Sequence, residues 1–160
     1  VRFSKIGSKP EKKPERLKEH IESVAKYFER RLPNLGRKIE IVRIYENELN
    51  AEINGELFDW VLENLLKNAA EAIEVKKGKV EIRLFENQKG KKIICVKDNG
   101  KGMSAAQKRR VFFPGYSTKQ RGWGLGLSLS RRIIEEYHSG KIFVKESSPG
   151  TGTTFIIELN

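Results

Sequence analysis

The chain has 160 residues, 38% apolar and 33% charged, which fits one domain, or one domain with an arm, built around a single core. Its net charge of +11 favours anionic partners, whether nucleotide, nucleic acid, acidic protein or membrane surface. The single cysteine, Cys95, excludes an intramolecular disulfide and a cysteine-cluster metal site. Its apolar neighbours predict that its side chain is buried. No apolar run approaches the ~18 residues of a membrane span, so we expect the chain as given to be soluble.

The first third of the chain is predicted to contain an arm, a helix and two strands. Residues 1–14 carry two prolines, one glycine and many charges, which predicts a basic arm or linker ahead of a domain over 15–160. Over 15–32 apolar side chains recur every three or four positions, which predicts an amphipathic helix. Alternating apolar residues predict strands at 38–45 and 49–53, and we expect these two strands to pair with each other.

A long helix over 55–75, capped by Asn54, is predicted to be central, because apolar residues cover most of its circumference. Asn64 and Asn68 are four residues apart and therefore share one face of this helix. The same face carries apolar side chains, so we expect both amides near a buried surface. A buried amide without partners costs about 1–3 kcal/mol, which makes this pair a candidate binding feature.

The remainder is predicted to alternate strands and helices, and this order indicates the fold class. The predicted elements are strands 79–85 and 91–97 joined as a hairpin around 87–90, a short helix 105–111, a helix from Gly124 that ends at 138–140, and strands 141–146 and 153–159. Hairpin strands with intervening helices indicate an α+β fold. We expect a two-layer sandwich, with a mixed, mostly antiparallel sheet covered on one face by helices.

Two glycine clusters, at 98–102 and 122–126, bracket the irregular segment 103–121. Glycine concentrates where backbone adopts positive φ or approaches a ligand closely, so the clusters predict a phosphate-bearing ligand. The second cluster lacks the preceding strand and the final glycine of a Rossmann fingerprint, and the first lacks the G-K-[ST] ending of a Walker A loop. The second cluster does run into a predicted helix N-terminus, which binds phosphate, with Lys119 and Arg121 just upstream.

Five motifs follow one another at residues 63–72, 98–102, 112–113, 117–127 and 150–155. In this order they resemble the asparagine, glycine and phenylalanine boxes of the catalytic ATP-binding domain of sensor histidine kinases. That domain belongs to the Bergerat-fold superfamily shared with DNA gyrase, Hsp90 and MutL. The resemblance covers about residues 15–160. It implies the Bergerat ATP-binding fold, with a mobile ATP lid over 103–121.

The resemblance implies ATP and Mg²⁺ as ligands and assigns roles by position. Asn68 would coordinate Mg²⁺, Asn64 would support the metal or the phosphates, and Lys119 would close over the phosphates; these are the implied catalytic residues. Asp98 would accept the adenine amino group, with Gly102 shaping the base pocket. The other implied ATP-binding residues are Gly100, Phe112, Gly122, Gly124, Gly126, Leu127 and Thr153 or Thr154, either of which reaches the adenine through water.

The residue at position 64 bears on the reaction. ATP-hydrolysing members of the superfamily carry a glutamate one turn before the metal-binding asparagine, whereas Asn64 is a poor general base. The resemblance therefore implies phosphoryl transfer to a histidine, which needs mainly positioning and charge neutralisation. Glu63, about 100° round the helix, is a candidate either for supporting the site residues from behind or for facing the acceptor. Neither histidine fits the phosphoacceptor: His20 is followed by Ile21, and His138 falls in a last helical turn, where a cation suits the dipole.

The predicted function is the catalytic ATP-binding domain of a two-component sensor histidine kinase, an ATP-dependent protein histidine kinase. The predicted partners are the phosphoacceptor histidine domain of the same full-length kinase, absent from this chain, and a downstream response regulator. The alternative is another Bergerat-fold module, such as an anti-sigma-type serine kinase or an ATP-driven switch. No nucleic-acid or membrane contact is expected, since the aromatic residues lie in apolar runs rather than among Lys and Arg. The predicted location is cytoplasmic, including as the cytoplasmic part of a membrane-bound sensor.

Overall fold

A computed structural model describes residues 10–36, 38–115 and 126–160, in which helices and strands alternate along the chain. The elements are β1 (Lys13–Arg16), α1 (Leu17–Arg31), a 3₁₀ turn (Pro33–Leu35), β2 (Ile39–Tyr45), β3 (Asn50–Ile53), α2 (Gly55–Ala72), β4 (Gly78–Glu86), β5 (Lys92–Asp98), α3 (Ala105–Arg110), α4 (Gly126–Arg132), a π-helical turn (Ile133–Tyr137), β6 (Lys141–Ser148) and β7 (Gly152–Leu159). Among these residues, none of the helices is long and apolar enough to cross a bilayer.

A five-stranded sheet in the order β2-β4-β5-β7-β6 forms one layer. β2 and β4 are parallel, and the other neighbouring strands are antiparallel. Alternate side chains of β5, such as Ile94 and Val96, join the core with the helices, because successive residues of a strand face opposite sides. The predicted α+β sandwich, with its mostly antiparallel sheet covered on one face, is confirmed.

The central helix α2 packs its apolar face onto that sheet. Its buried residues recur at helical spacing and are Leu57, Phe58, Val61, Leu62, Leu65, Leu66 and Ala69. Truncating one of the leucines, such as Leu62 or Leu65, to alanine would cost about 2–5 kcal/mol, because the dense core collapses only partly around the cavity. The predicted cap is confirmed: the Asn54 side chain accepts a hydrogen bond from the Leu57 N–H at 3.0 Å.

The predicted pairing of the second and third strands is wrong. β3 pairs antiparallel with β1, so that Pro14 lies opposite Glu52, in a separate two-stranded sheet. Four alternating residues show which side chains are buried but carry no information about the neighbouring strand. β1 begins inside the segment predicted as an arm. Proline has no N–H to give a ladder, but it is tolerated at a sheet edge, so Pro14 does not prevent the strand.

The predicted burial of Cys95 is also wrong. The thiol is half-buried, and Cys95 pairs with Arg83 on one side and with Ile156 on the other. These residues belong to the sheet face turned away from α1 and α2. The surrounding apolar run is therefore split between two faces, and Ile94 and Val96 are the residues of the run that enter the core.

His138 corrects the prediction of a cation at the end of the last helix. α4 continues into the π-helical turn, and the His138 side chain that follows is buried. Its Nδ1–H donates to the Ile133 carbonyl at 2.9 Å, and its Nε2 accepts the Asn54 backbone N–H at 3.0 Å. Burial lowers the pKa of this imidazole. A neutral His138 therefore fastens the last helix to the start of α2.

Candidate functional site

Asp98, the last residue of β5, is a buried carboxylate with one oxygen left open. Only 5% of the Asp98 surface is exposed to solvent. Oδ1 accepts hydrogen bonds from the Gly100 N–H at 2.8 Å and the Thr153 N–H at 3.3 Å. No side chain or backbone group of the described residues hydrogen-bonds Oδ2 or forms a salt bridge with Asp98. Burial raises the pKa of the carboxyl, and the two N–H donors oppose that rise. The arrangement presents a fixed acceptor to an incoming N–H group.

The glycine loop after Asp98 is pressed between the end of α2 and the β6–β7 hairpin. A Cβ on Gly100 would lie 2.7 Å from the Ala72 carbonyl oxygen, and the neighbouring Lys101 N–H donates to that same oxygen at 2.8 Å. Gly102 has φ +71°, and its Cβ would lie 2.0 Å from the Ser148 carbonyl oxygen. Only glycine combines this backbone conformation with this approach. The loop is therefore held where it can border a ligand beside Asp98.

Thr153 and Thr154 lie on opposite faces of the sheet. The register pairs Thr153 with Asp98 and Thr154 with Lys97. Directly opposed residues of neighbouring antiparallel strands point to the same side. Thr153 therefore shares the Asp98 face, and Thr154 shares the face of the exposed Lys97. Of the two candidates, Thr153 is the one placed beside the carboxylate.

Asn64 and the start of α4 form the other side of the candidate site. The Asn64 Nδ2 donates to Ser130 Oγ at 3.2 Å, and that hydroxyl donates to the Gly126 carbonyl at 2.8 Å. A Cβ on Gly126 would lie 2.5 Å from Asn64 Oδ1, so any larger residue there would displace the Asn64 amide. Asn68 lies one turn further along α2 and is partly buried. The predicted shared face of the two asparagines thus faces the beginning of α4.

The two sides are joined along α2. Gly100 packs against Ala72, the last residue of the helix. At 1.5 Å per residue, Asn68 lies about 6 Å and Asn64 about 12 Å along the axis from that end. An extended ligand with its head beside Asp98 would therefore reach the asparagines with its tail. Most of the Glu63 side chain on α2 is exposed, but desolvation of its carboxyl and the nearby Asp59 carboxylate together raise its pKa.

Phe112 and Leu127 flank the candidate site as packing residues. The Phe112 ring meets the Phe155 ring edge to face at 6.1 Å, and the Arg131 guanidinium lies 5.6 Å from its centre. Leu127 packs against the core. Three predicted site residues, Lys119, Gly122 and Gly124, lie outside the described residues, as does most of the second half of the predicted lid.

Two serines of the candidate site, Ser130 and Ser147, were not predicted from the sequence. Ser130 follows Gly126 by four residues, so a buried hydroxyl one helical turn after the glycine was the available signal. Ser147 contacts Met103 and Thr153, and nothing in the sequence reveals these contacts before the strand register is known. Both serines hold other site residues in place.

The sheet, the glycine-lined carboxylate and the asparagine-bearing helix define a nucleotide-binding domain of the two-layer α+β class. A family model described as histidine kinase-, DNA gyrase B- and HSP90-like ATPase matches residues 54–160. The chain belongs to this family.

The similar proteins that the comparisons find are histidine kinases. The chain is 37% identical over 123 residues to the signal transduction histidine-protein kinase AtoS of Escherichia coli (strain K12), an alignment covering 76% of this chain and 20% of AtoS. The solved catalytic domain of histidine kinase ThkA superposes with a TM-score of 0.80 at 33% identity, over 93% of this chain and 95% of that one. A structure of ThkA in complex with the response regulator protein TrrA matches with a TM-score of 0.76 at 30% identity, over 92% of this chain and 41% of that one. The fold is thus that of a histidine kinase catalytic domain, and the chain spans about a fifth of AtoS.

Proposed function

We propose that the chain is the ATP-binding catalytic domain of a sensor histidine kinase, which binds Mg²⁺–ATP and presents the γ-phosphate to a histidine of a separate phosphoacceptor domain. One observation carries the proposal: a buried acceptor, Asp98, lies beside the end of α2, and the amides of Asn64 and Asn68 follow along that helix at a spacing that fits a nucleoside triphosphate. The histidine kinase relatives supply the reaction class.

Base recognition follows from the open oxygen of Asp98. An ionised carboxylate only accepts hydrogen bonds, which suits the exocyclic amino group of adenine and disfavours the carbonyl that guanine has at that position. A hydrogen bond to a charged group contributes about 1.5–3 kcal/mol. Gly102 lets the loop after Asp98 pack against the Ser148 backbone, and Thr153 lies beside the carboxylate on the same face of the sheet. We assign Thr153, not Thr154, to the base pocket.

The residues beside the phosphate end fit a magnesium ion. No group of three or more His, Cys, Asp or Glu side chains able to hold a metal occurs among the described residues, so a carboxylate cage is not the arrangement here. Mg²⁺ keeps several waters and binds through few protein oxygens together with substrate phosphates, which one amide oxygen satisfies. Asn68 would hold it, and Asn64 would support the phosphates. When bound, Mg²⁺ neutralises the charge that develops on the phosphates.

The protein groups of this site position the phosphates rather than activate water. Asn64 donates its amide to Ser130 and carries no basic group, so it cannot take a proton from a water molecule. A histidine of the phosphoacceptor domain would attack the γ-phosphate in line, and ADP would leave. Lys119 and the backbone of 122–126 would contact the phosphates, an assignment that rests on the motif resemblance.

The proposed partners follow from the relatives. The chain covers only 20% of AtoS, so a phosphoacceptor domain of the full-length protein is the proposed substrate. The ThkA structure contains a response regulator, and a cognate response regulator is the proposed downstream partner.

The test is calorimetric titration with ATP, with and without Mg²⁺, followed by incubation of the loaded protein with its phosphoacceptor domain. We expect Mg²⁺-dependent ATP binding, negligible turnover by the domain alone, and acid-labile phosphohistidine on the acceptor. Acid-stable phosphoserine would instead identify a serine kinase of the same fold. Rapid ATP hydrolysis by the domain would contradict the role given to Asn64.

A further inference from the structure

Ser147 joins three segments that surround Asp98. The residue lies in β6 and is 7% exposed. Its Oγ accepts the Met103 N–H at 2.8 Å, lies 2.8 Å from Thr153 Oγ1, and donates to the Gly152 carbonyl at 3.1 Å. Met103 ends the glycine loop, and Gly152 and Thr153 begin β7. One buried hydroxyl therefore ties the loop to the hairpin that carries Thr153.

The strand register places Ser147 in a row with the base-binding residues. Asp98 of β5 lies opposite Thr153 of β7, and Thr153 lies opposite Ser147 of β6. All three side chains point to the same side of the sheet, since directly opposed residues share a face. Ser147 is thus the outer member of a row that begins at the open carboxylate.

Ser147 also constrains the proton of the Thr153 hydroxyl. A serine hydroxyl has one proton and two lone pairs. One lone pair takes the Met103 N–H, and either hydroxyl can donate in the pair of Ser147 with Thr153. When the Ser147 proton goes to the Gly152 carbonyl, its remaining lone pair accepts the Thr153 O–H. The lone pairs of Thr153 are then the groups left for a ligand or water. Removing the Ser147 hydroxyl frees this proton and leaves the Met103 N–H without its acceptor.

We propose that Ser147 is a positioning residue for the adenine pocket, which holds the Gly102–Met103 backbone and the Thr153 hydroxyl in register with Asp98. It touches no nucleotide itself and acts through Met103 and Thr153. The inference rests on the proposed function, because it names the residue that shapes the base side of that same site.

The test compares Ser147→Ala with Ser148→Ala by calorimetry. Ser148 is the adjacent, exposed serine, and its hydroxyl bonds Thr151 at 2.6 Å. Each variant is titrated with Mg²⁺–ATP and with Mg²⁺–inosine triphosphate, which has a carbonyl where ATP has the amino group. We expect Ser147→Ala to weaken ATP binding about tenfold and inosine triphosphate binding less than about twofold, since inosine triphosphate has no amino group to donate to Asp98 and lacks the contact that Ser147 is proposed to hold in register. Ser148→Ala should match the unaltered protein, and Ser147→Thr, which keeps the hydroxyl, should recover most of the ATP affinity.

Equal losses for both nucleotides, or unchanged ATP affinity, would overturn the role of Ser147. If the unaltered protein does not bind ATP at all, the proposed function itself fails, and the two failures are thereby distinguished. Amide hydrogen exchange of the unaltered protein gives a second test that needs no variant. The Met103 amide should exchange as slowly as the amides of β7, and fast exchange at Met103 would contradict the proposed tie.

Discussion

Two groups of partly or fully buried carboxylates stand in contrast in this domain. At the nucleotide site, Asp98 is held by two backbone N–H groups and lacks a cationic partner among the described residues. At the junction of β1, α1 and α2, Glu15 and Asp59 enclose His20, whose Nε2 lies 2.9 Å from Glu15 and whose Nδ1 lies 2.7 Å from Asp59. The hydrogen bond that His20 donates to Asp59, aided by Glu15 and opposed by burial, raises the pKa of His20 to about 9.

The carboxylates of Glu15 and Asp59 stabilise the fold, whereas the carboxylate of Asp98 is available to a ligand. Glu15 and Asp59 each accept a hydrogen bond from His20. The protonated His20 therefore links strand β1 to the central helix α2. Asp98 keeps one oxygen without a protein partner in the described part of the chain, and its pKa is raised rather than lowered. Burying this weakly compensated charge destabilises the folded domain, and we propose that a hydrogen bond from the nucleotide offsets this when the ligand binds.

The largest effect is expected from Gly152→Ala, because this substitution displaces Asp98. Gly152 has φ +88°, and a Cβ there would lie 2.0 Å from the Asp98 carbonyl oxygen. Backbone strain and overpacking each cost about 1–3 kcal/mol, and relief of the clash must displace Asp98. We expect Mg²⁺–ATP affinity to fall by about a hundredfold or more, as measured by calorimetry.

Gly150→Ala is the matched control for that substitution. Gly150 lies in the same turn with φ +83°, but nothing lies within 4 Å of its Cβ position. It should lose about 1 kcal/mol of stability through backbone strain alone and keep ATP binding. Similar losses of ATP affinity in both variants would show that displacement of Asp98 is not the cause.

A smaller effect, confined to stability, is expected from His20→Gln. Replacement removes the cation between two carboxylates and should lower the free energy of unfolding by about 1.5–3 kcal/mol, the range for hydrogen bonds to charged groups. Mg²⁺–ATP affinity should stay within about twofold, because the junction lies away from Asp98. Glu19→Gln, which removes an exposed pair with Arg16 at 3.6 Å, is the control and should change stability by less than about 1 kcal/mol. A large loss of ATP affinity in His20→Gln would show that the His20 junction also acts on the nucleotide site.

The same junction predicts a loss of stability in alkaline solution. His20 binds its proton more tightly in the folded state, with a pKa of about 9 against 6.5. The contribution of His20 to the free energy of unfolding is therefore fully present below pH 6.5 and declines as the pH rises from 6.5 through about 9. Urea unfolding between pH 6 and 9.5 should show this decline, and His20→Gln should flatten it. An equal slope in both proteins would assign the decline to other groups.

His138 predicts a change of the opposite sign in acid, and the smallest of the four effects. Its pKa is lowered by burial, and its Nε2 must remain unprotonated to accept the Asn54 N–H. Its contribution is present above pH 6.5 and is lost as the pH falls below that value. Replacing His138 with Gln should reduce the acid-side slope of stability between pH 5 and 6.5. A slope that does not change would show that His138 is not held neutral.

The parts of this architecture that depend on near neighbours in sequence were predictable. The apolar spacing and Asn54 identified α2, and the glycine pattern pointed to Gly100, Gly102 and Gly126, which border the candidate site. Pairings between distant segments were not predictable, because a period-two pattern fits any neighbouring strand. β3 was therefore given the wrong partner, and the choice between Thr153 and Thr154 needed the register. The contacts of His20 and Ser147 likewise arise only when separate elements come together.

The most direct measurement on the central claim is Mg²⁺–ATP titration of Asp98→Asn alongside its unfolding without nucleotide. Asparagine has the same shape and can still accept the Gly100 and Thr153 N–H groups, but it offers an N–H to adenine in place of one acceptor. Since burial raises the pKa of Asp98, the charge costs folding stability near pH 7, and its removal should leave stability equal or higher. We predict at least about tenfold weaker ATP binding with undiminished stability. Unchanged ATP affinity would contradict the assignment of Asp98 as the adenine acceptor.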